Sequence, residues 1–257
     1  MTFKELTAMV QGIIKMKKIV VIPARFGSTR LPGKPLLDLC GKPLIQWVYE
    51  RARESRLADE ILIATDDEQI RDTAQSFGAE AIMTSVACTS GTDRVYEAVC
   101  GRSADIVVNL QGDEPFIRSD MIDAVFSIIE REHLDMATLC CPLKDNHEYE
   151  DPNTVKVVLD RAGYALYFSR APIPYVRDNR RAAPYKHVGI YGFSMALLEQ
   201  FVRMEKSRLE ETESLEQLRA LENGYKIKVL TTQYDGFGID TEEDLQRAQK
   251  ILARYIH

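Results

Sequence analysis

The 257-residue sequence predicts an α/β fold with a largely parallel central sheet, on three observations. Short β-branched runs alternate with helical stripes, the main runs are apolar throughout instead of alternating, and polar loops leave two of them at their carboxyl ends. The first strand is 17–22 (KKIVVI), its composition that of a strand buried on both faces. After a polar loop, Leu44, Trp47, Val48 and Ala52 mark a helix. A second strand at 61–65 leads into a second helix at 67–77, which Gly78 stops. Residues 79–83 read as a strand, 92–100 as a helix ended by Gly101, and 105–110 (DIVVNL) as a third long buried strand. Beyond these, 136–143, 155–159 and 164–169 read as strands, the last two joined by a hairpin turn over 160–163. Pro172, Pro174 and Pro184 make 171–186 an extended loop. A strand at 187–194, one helix over 209–223 closed by Asn223-Gly224, and a strand at 226–230 follow. The last helix starts at Thr241, where Thr241-x-x-Asp244 fits a capping box and Leu245, Ala248, Ile251, Leu252 and Tyr255 share one face.

Composition narrows the function classes. The chain is 45% hydrophobic and 28% charged, as in soluble globular proteins, and its formal net charge is -6. Bulk charge therefore disfavours a nucleic-acid partner, and any bound anion must be caught by a local basic cluster. Cys40, Cys88, Cys100, Cys140 and Cys141 are odd in number and form no C-x-x-C pair, which predicts free thiols in a reducing compartment. His133, His147, His187 and His257 lack metal-ligand spacing, so no zinc site is expected. No apolar run is long enough for a secretory signal or membrane insertion, and a cytoplasmic location is the expectation. Residues 1–16 read as an N-terminal extension ahead of a single domain over 17–257.

Three segments carry chemistry. Residues 22–35 (IPARFGSTRLPGKP) leave the first strand with Arg25, Arg30, Lys34, two glycines and two hydroxyls, a composition suited to phosphate. This is no Walker A loop, because five residues separate Gly27 from Gly33 and Pro35 stands where Ser or Thr would hold magnesium. Nor is there a G-x-G-x-x-G dinucleotide fingerprint. Gln111-Gly-Asp-Glu-Pro115 ends the third buried strand, where Asp113 is placed to hold Mg²⁺ against substrate phosphates. Gly236-Phe-Gly-Ile-Asp240 precedes the last helix. Taken singly, each aspartate is equally a turn or cap residue; two strand-end aspartates with one basic loop point to a joint site.

These segments, with A-T-D at 64–66, S-G-T-D-R at 90–94, N-x-V-K-V-V-L-D at 153–160, G-Y-A-L-Y-F-S-R at 163–170, H-x-G-I-Y-G at 187–192 and L-E-Q-L-R at 215–219, resemble the 3-deoxy-manno-octulosonate (Kdo) cytidylyltransferases. The likeness spans 17–252; residues 1–15 and a short loop at 177–184 are unmatched. It implies a nucleotide-diphosphosugar-transferase type fold, a small mixed-sheet lobe over about 154–205, Mg²⁺ dependence and a homodimer. The implied reaction joins CTP to an acidic eight-carbon sugar, giving pyrophosphate and CMP-Kdo for lipopolysaccharide synthesis.

The resemblance also assigns roles. Arg25, Ser28, Arg30 and Lys34 would hold the CTP phosphates, Ser90, Gly91, Arg94 and Gln111 would surround the base and ribose, and Ala24, Gly27 and Gly112 would also bind the nucleotide. Asp113 and Asp240 would ligate Mg²⁺, with a second ion able to ride on the triphosphate, and Arg30 and Lys34 would stabilise departing pyrophosphate. Arg170, Arg177, His187, Tyr191, Glu216 and Gln217 would hold the sugar acid. Without the resemblance, His187 reads more readily as a structural histidine, and Glu216, off the Leu215/Leu218/Leu221 stripe, as part of a solvated face. The rival readings are an 8-amino Kdo analogue as substrate, a silent CTP- or sugar-binding homologue, and a D-x-D glycosyltransferase, whose second aspartate is missing here.

Overall fold

The computed structural model of the protein describes residues 15–27, 31–177, 184–234 and 236–254. In chain order its first half comprises β1 (Lys18–Ala24), a small hairpin of β2 (Asp38–Leu39) and β3 (Lys42–Pro43), α1 (Leu44–Arg53), β4 (Glu60–Thr65), α2 (Glu68–Ser76), β5 (Glu80–Met83), α3 (Gly91–Val99) and β6 (Ile106–Leu110). Then come α4 (Ser119–Glu132), β7 (Met136–Pro142), α5 (Asn146–Glu150), β8 (Lys156–Leu159), β9 (Ala165–Ser169) and β10 (Tyr185–Ser194). The chain continues through α6 (Met195–Phe201), α7 (Arg208–Glu213), α8 (Gln217–Glu222), β11 (Ile227–Thr231) and α9 (Glu242–Leu252).

β1 shows why its run is apolar throughout. Val20, Ile22 and Ala24 enter one core and Ile19 and Val21 the other, so the strand has no solvent face. β6 divides the same way, with Ile106, Val108 and Leu110 on one side and Val107 on the other. The nine-stranded sheet runs β11-β7-β10-β6-β1-β4-β5, with β8 added to β10 and β9 to β8. β1 is parallel to β4 and β6, β4 to β5, and β11 to β7, while β10 is antiparallel to both β6 and β7. Every strand on the main path except β10 therefore points one way.

Register decides what meets at the carboxyl edge. Ala24 pairs with Thr65, and Val21 with Asn109, so the segments after β1, β4 and β6 leave side by side. Ile190 pairs with Leu110, which brings the first half of the antiparallel β10 to that same edge.

The predicted hairpin at 160–163 is present: β8 and β9 pair, and Asp160 Oδ1 accepts from the N–H groups of Ala162 and Tyr164. So is the capping box on α9. The single helix expected over 209–223 is corrected: it is two short helices, α7 and α8, with Ser214 between them at φ 50. The reason is tertiary, since the carbonyls of Glu213 and Ser214 are taken by the Arg170 guanidinium. α4, α5 and α6 had no counterpart in the sequence-based assignment.

Candidate active site at the carboxyl edge of the sheet

The loop after β1 closes on itself at Gly33, whose N–H donates to Phe26 O at 3.1 Å and whose φ of 66 is one that a side chain would resist. A 3₁₀ turn, Lys34–Leu36, follows with Pro35 at its start, and this aims Lys34 back toward the strand ends. Lys34 Nζ lies 2.6 Å from Asp113 Oδ2 and 2.9 Å from Asp240 Oδ1. Burial works against its charge, but the two carboxylates outweigh burial and its pKa is raised.

Around this triad lies a cavity of about 330 Å³ lined by Ala24, Arg25, Lys34, Ser90, Gly91, Arg94, Gln111, Gly112, Asp113 and Asp240. The sequence names all of these; Pro23, Pro35, Cys88 and Thr89 complete the lining without having been singled out. Gly27 is exposed on the same loop, and Ser28 and Arg30 lie outside the described residues. Ser90 caps α3 through a reciprocal capping box with Asp93, so the amino end of that helix opens on the cavity, as an anion site requires. Arg94 is buried and fixed by Asp66 Oδ2 at 2.7 Å and Thr84 Oγ1 at 2.5 Å. Asp66 thereby positions a pocket arginine; its place just after β4 was the available signal.

A polar chain leads from this cavity along the sheet. Gln111 Nε2 donates to Asn109 Oδ1 at 3.3 Å, Asn109 Nδ2 to Thr92 Oγ1 at 3.3 Å, and Thr92 Oγ1 to Glu216 Oε2 at 2.6 Å. Asn109 and Thr92 were missed, although an asparagine inside the apolar run of β6 was a visible anomaly. Glu216 faces inward, the opposite of the solvated-face alternative, because the break at Ser214 turns α8 against α7. Burial raises its pKa against the Thr92 hydroxyl and Arg219, which favour the charge. Glu216 Oε1 and Gln217 Nε2 are both buried without a hydrogen-bond partner, one acceptor and one donor side by side in the chain.

His187 and Tyr191 stand on β10 with ring centroids 5.0 Å apart, and Phe168 meets His187 edge-on at 5.2 Å. His187 Nε2 is 2.8 Å from Thr138 Oγ1, whose own proton goes to Ile190 O at 2.7 Å. The imidazole must then donate from Nε2, leaving Nδ1 as an acceptor. Burial pushes its pKa down to about 3. Burial and the nearby Glu216 raise the Tyr191 phenol. Arg170 is placed differently from the rest: Nε donates to Glu213 O at 2.8 Å, Nη1 to Pro152 O at 3.0 Å and Nη2 to Ser214 O at 3.3 Å, so its guanidinium braces the α7–α8 joint. Arg177 is exposed on the loop beyond Pro174.

Among the described residues no group of three or more His, Cys, Asp or Glu side chains converges as a metal cage. Asp113 and Asp240 still fit a divalent cation, because the Lys34 ammonium already sits between them as a cationic stand-in. Two carboxylates with the remaining positions left to phosphate oxygens and water is the ligand set hard Mg²⁺-like ions take.

A parallel α/β sheet that gathers a basic loop and opposed carboxylates at one edge is the layout of a nucleotidyltransferase. The sequence profile of the cytidylyltransferases matches residues 19–227, and the chain belongs to that family. It is 52% identical to a 3-deoxy-manno-octulosonate cytidylyltransferase of Thermodesulfovibrio yellowstonii, covering 93% of this chain and 100% of that protein. A protein of the same description from Anaeromyxobacter sp. is 53% identical over 91% of this chain and 96% of its own length. The solved structure of a CMP:2-keto-3-deoxy-manno-octonic acid synthetase complexed with CTP superposes with a TM-score of 0.89 at 44% identity, covering 93% of this chain and 99% of that one. A cytidylyltransferase of Leptospira borgpetersenii, 20% identical with a TM-score of 0.63 over 93% of this chain and 87% of that one, shares the fold.

Proposed function

We propose that the chain transfers CMP from CTP to the anomeric hydroxyl of Kdo, forming CMP-Kdo and pyrophosphate, with Mg²⁺ held by Asp113 and Asp240. The observation that carries this reading is the cavity in which Lys34 bridges those carboxylates beside the Ser90–Arg94 segment, in a chain so similar to a synthetase solved with CTP. The anomeric oxygen forms a bond to the α-phosphorus as the bond from that phosphorus to the α–β bridging oxygen breaks, in line. No covalent nucleophile is needed, since positioning and charge stabilisation supply most of the acceleration. A bound Mg²⁺ would lower the pKa of the attacking hydroxyl and neutralise α-phosphate charge. Arg25 and Lys34 hold the triphosphate, and Ser90 and Gly91 at the amino end of α3, with Arg94 fixed by Asp66, face the nucleoside. Lys34 carries its charge to the departing pyrophosphate, with Arg30 proposed beside it.

The sugar is proposed to lie beside the chain from Gln111 to Glu216. Its hydroxyls would satisfy Glu216 Oε1, Gln217 Nε2 and the acceptor Nδ1 of His187, while Tyr191 walls the pocket. Arg177 remains the proposed partner of the sugar carboxylate; Arg170 is committed to backbone carbonyls and acts here as a brace. The relatives named for Kdo, and the intact carboxylate pair, leave the 8-amino and silent-homologue readings without support. The exposed apolar side chains of Leu166, Tyr175 and Val176, at 62%, 86% and 39% exposure, support a homodimer contact on the lobe at about 154–205. Among the described residues no helix is long and apolar enough to cross a membrane.

Pyrophosphate release, measured with each nucleoside triphosphate crossed against a panel of sugar acids, tests the whole reading. CTP with Kdo is expected to dominate the matrix. Equal release with UTP, or release with neutral sugars as fast as with Kdo, overturns it.

A further inference from the structure

The strap 236–240 has no regular secondary structure, yet it must deliver Asp240 to within reach of Asp113. Its contacts converge on two residues that the mechanism leaves unused. Gly236 packs so tightly on the Tyr234 ring that a Cβ there would lie 2.2 Å from it. A Cβ on Gly238 would lie 3.6 Å from Glu114 Oε1 and 3.8 Å from Asp113 O. Phe237 packs at a 40° tilt against Phe116 with centroids 5.2 Å apart, and the N–H of Ile239 donates to Asp113 O at 2.9 Å. Joining the two sides, the buried Tyr234 donates its hydroxyl to Glu114 Oε2 at 2.6 Å.

We infer that Glu114 and Tyr234 are positioning residues for the Asp113–Asp240 pair: their hydrogen bond seats the strap carrying Asp240 against the strand-end loop carrying Asp113. The inference rests on the reading of that pair as the metal ligands. It needs no particular charge on Glu114, because a carboxyl oxygen accepts from a phenol in either state. Glu114 is not counted as a third ligand, since one oxygen is committed to Tyr234 and no three-carboxylate cage forms among the described residues.

The test is Mn²⁺ binding to the full chain with CTP present, read by electron paramagnetic resonance of the free ion against the same CTP without protein, since CTP binds the ion itself. CTP affinity without metal is measured in parallel by calorimetry. Tyr234→Phe keeps the ring and removes only the donor. It is expected to weaken Mn²⁺ binding about tenfold, the upper end of what an ordinary hydrogen bond contributes. CTP affinity without metal should stay within about twofold, and saturating metal should recover kcat. Glu114→Gln preserves the acceptor and should hold Mn²⁺ within about threefold of native. Glu114→Ala should match Tyr234→Phe, and the double variant should be no worse than either single one. Unchanged Mn²⁺ affinity in Tyr234→Phe overturns the inference while leaving the metal reading intact. Glu114→Gln as damaging as Asp113→Asn makes Glu114 a ligand and also overturns it. A native protein that binds no Mn²⁺ overturns the metal reading and the inference together.

Discussion

Burial holds the His187 imidazole neutral, its pKa pushed down to about 3 from an ordinary value of 6.5. The unfolded chain takes up this proton below pH 6.5 and the folded one refuses it until about pH 3. The group's contribution to stability is therefore whole above pH 6.5 and is lost as pH falls through that window, by up to about 1.4 kcal/mol per pH unit. Urea unfolding of the native protein and His187→Asn at pH 6.5 and pH 5 isolates the effect. The native protein should lose about 1–2 kcal/mol more than the variant over that interval; parallel losses would mean that the ring is not desolvated. At this scale the phosphate and metal residues were legible because charge at a strand end is unusual in an apolar pattern. The sugar-side residues were not, because what marks Glu216 and Gln217 is one buried atom on each, Oε1 and Nε2, that makes no hydrogen bond, which spacing cannot reveal. Arg170 illustrates the converse. A cation beside a proline-rich loop looks available for a carboxylate, but three backbone carbonyls already claim it.

The joint between α7 and α8 is held from afar by Arg170 and across the break by a side-chain pair, neither of which the local apolar pattern announces. Glu210 and Arg219 are both buried and meet through two bonds, Nε to Oε2 at 2.8 Å and Nη2 to Oε1 at 2.5 Å, with the guanidinium 4.7 Å over the Phe201 ring. Removing one partner strands the other charge in the interior, so Arg219→Met should cost about 3–5 kcal/mol. Replacing both, as Arg219→Met with Glu210→Leu, should cost less than Arg219→Met alone, because no unpaired charge remains. Recovery would stop short of native, since Glu210 also closes the capping box with Ser207. Urea denaturation of the three proteins checks the order, and a double variant worse than the single would show that a stranded Glu210 charge is not what destabilises Arg219→Met. α4 is the contrary case. Met121, Ile122, Val125, Phe126 and Ile129 form a helical stripe facing the sheet, so the signal for this element was local and present in the sequence. The helix boundaries that were assigned agree closely with α2, α3 and α9 for the same reason.

Across the whole molecule, parallel register brings three strand ends to one edge, and the reversed β10 adds the sugar side to it. The fold class was legible because buried strands flanked by helices leave a compositional trace. That the basic loop and the two aspartates share one site was legible too; the direct meeting of the Lys34 ammonium with both carboxylates was not, since only the folded sheet sets that geometry. That meeting has a consequence for ligand binding. The ammonium lies 2.6 and 2.9 Å from the two carboxylates, so a divalent cation arriving alone must displace it. A triphosphate offers Lys34 a second anion and releases the carboxylates, so nucleotide and metal should bind cooperatively, and by linkage each should favour the other equally. Metal ions also bind CTP directly, so coupling in the native protein does not by itself identify Lys34. The decisive comparison is Lys34→Met without nucleotide. With the competing ammonium removed, calorimetry should show Mn²⁺ binding to the variant at least about tenfold more tightly than to the native protein, a coupling of ordinary size. Its kcat at saturating metal and CTP should nonetheless fall by about 10²-fold or more, because the charge wanted at the leaving pyrophosphate is gone. Equal Mn²⁺ affinity in the two proteins would mean that Lys34 yields the carboxylates freely and that binding order is set elsewhere.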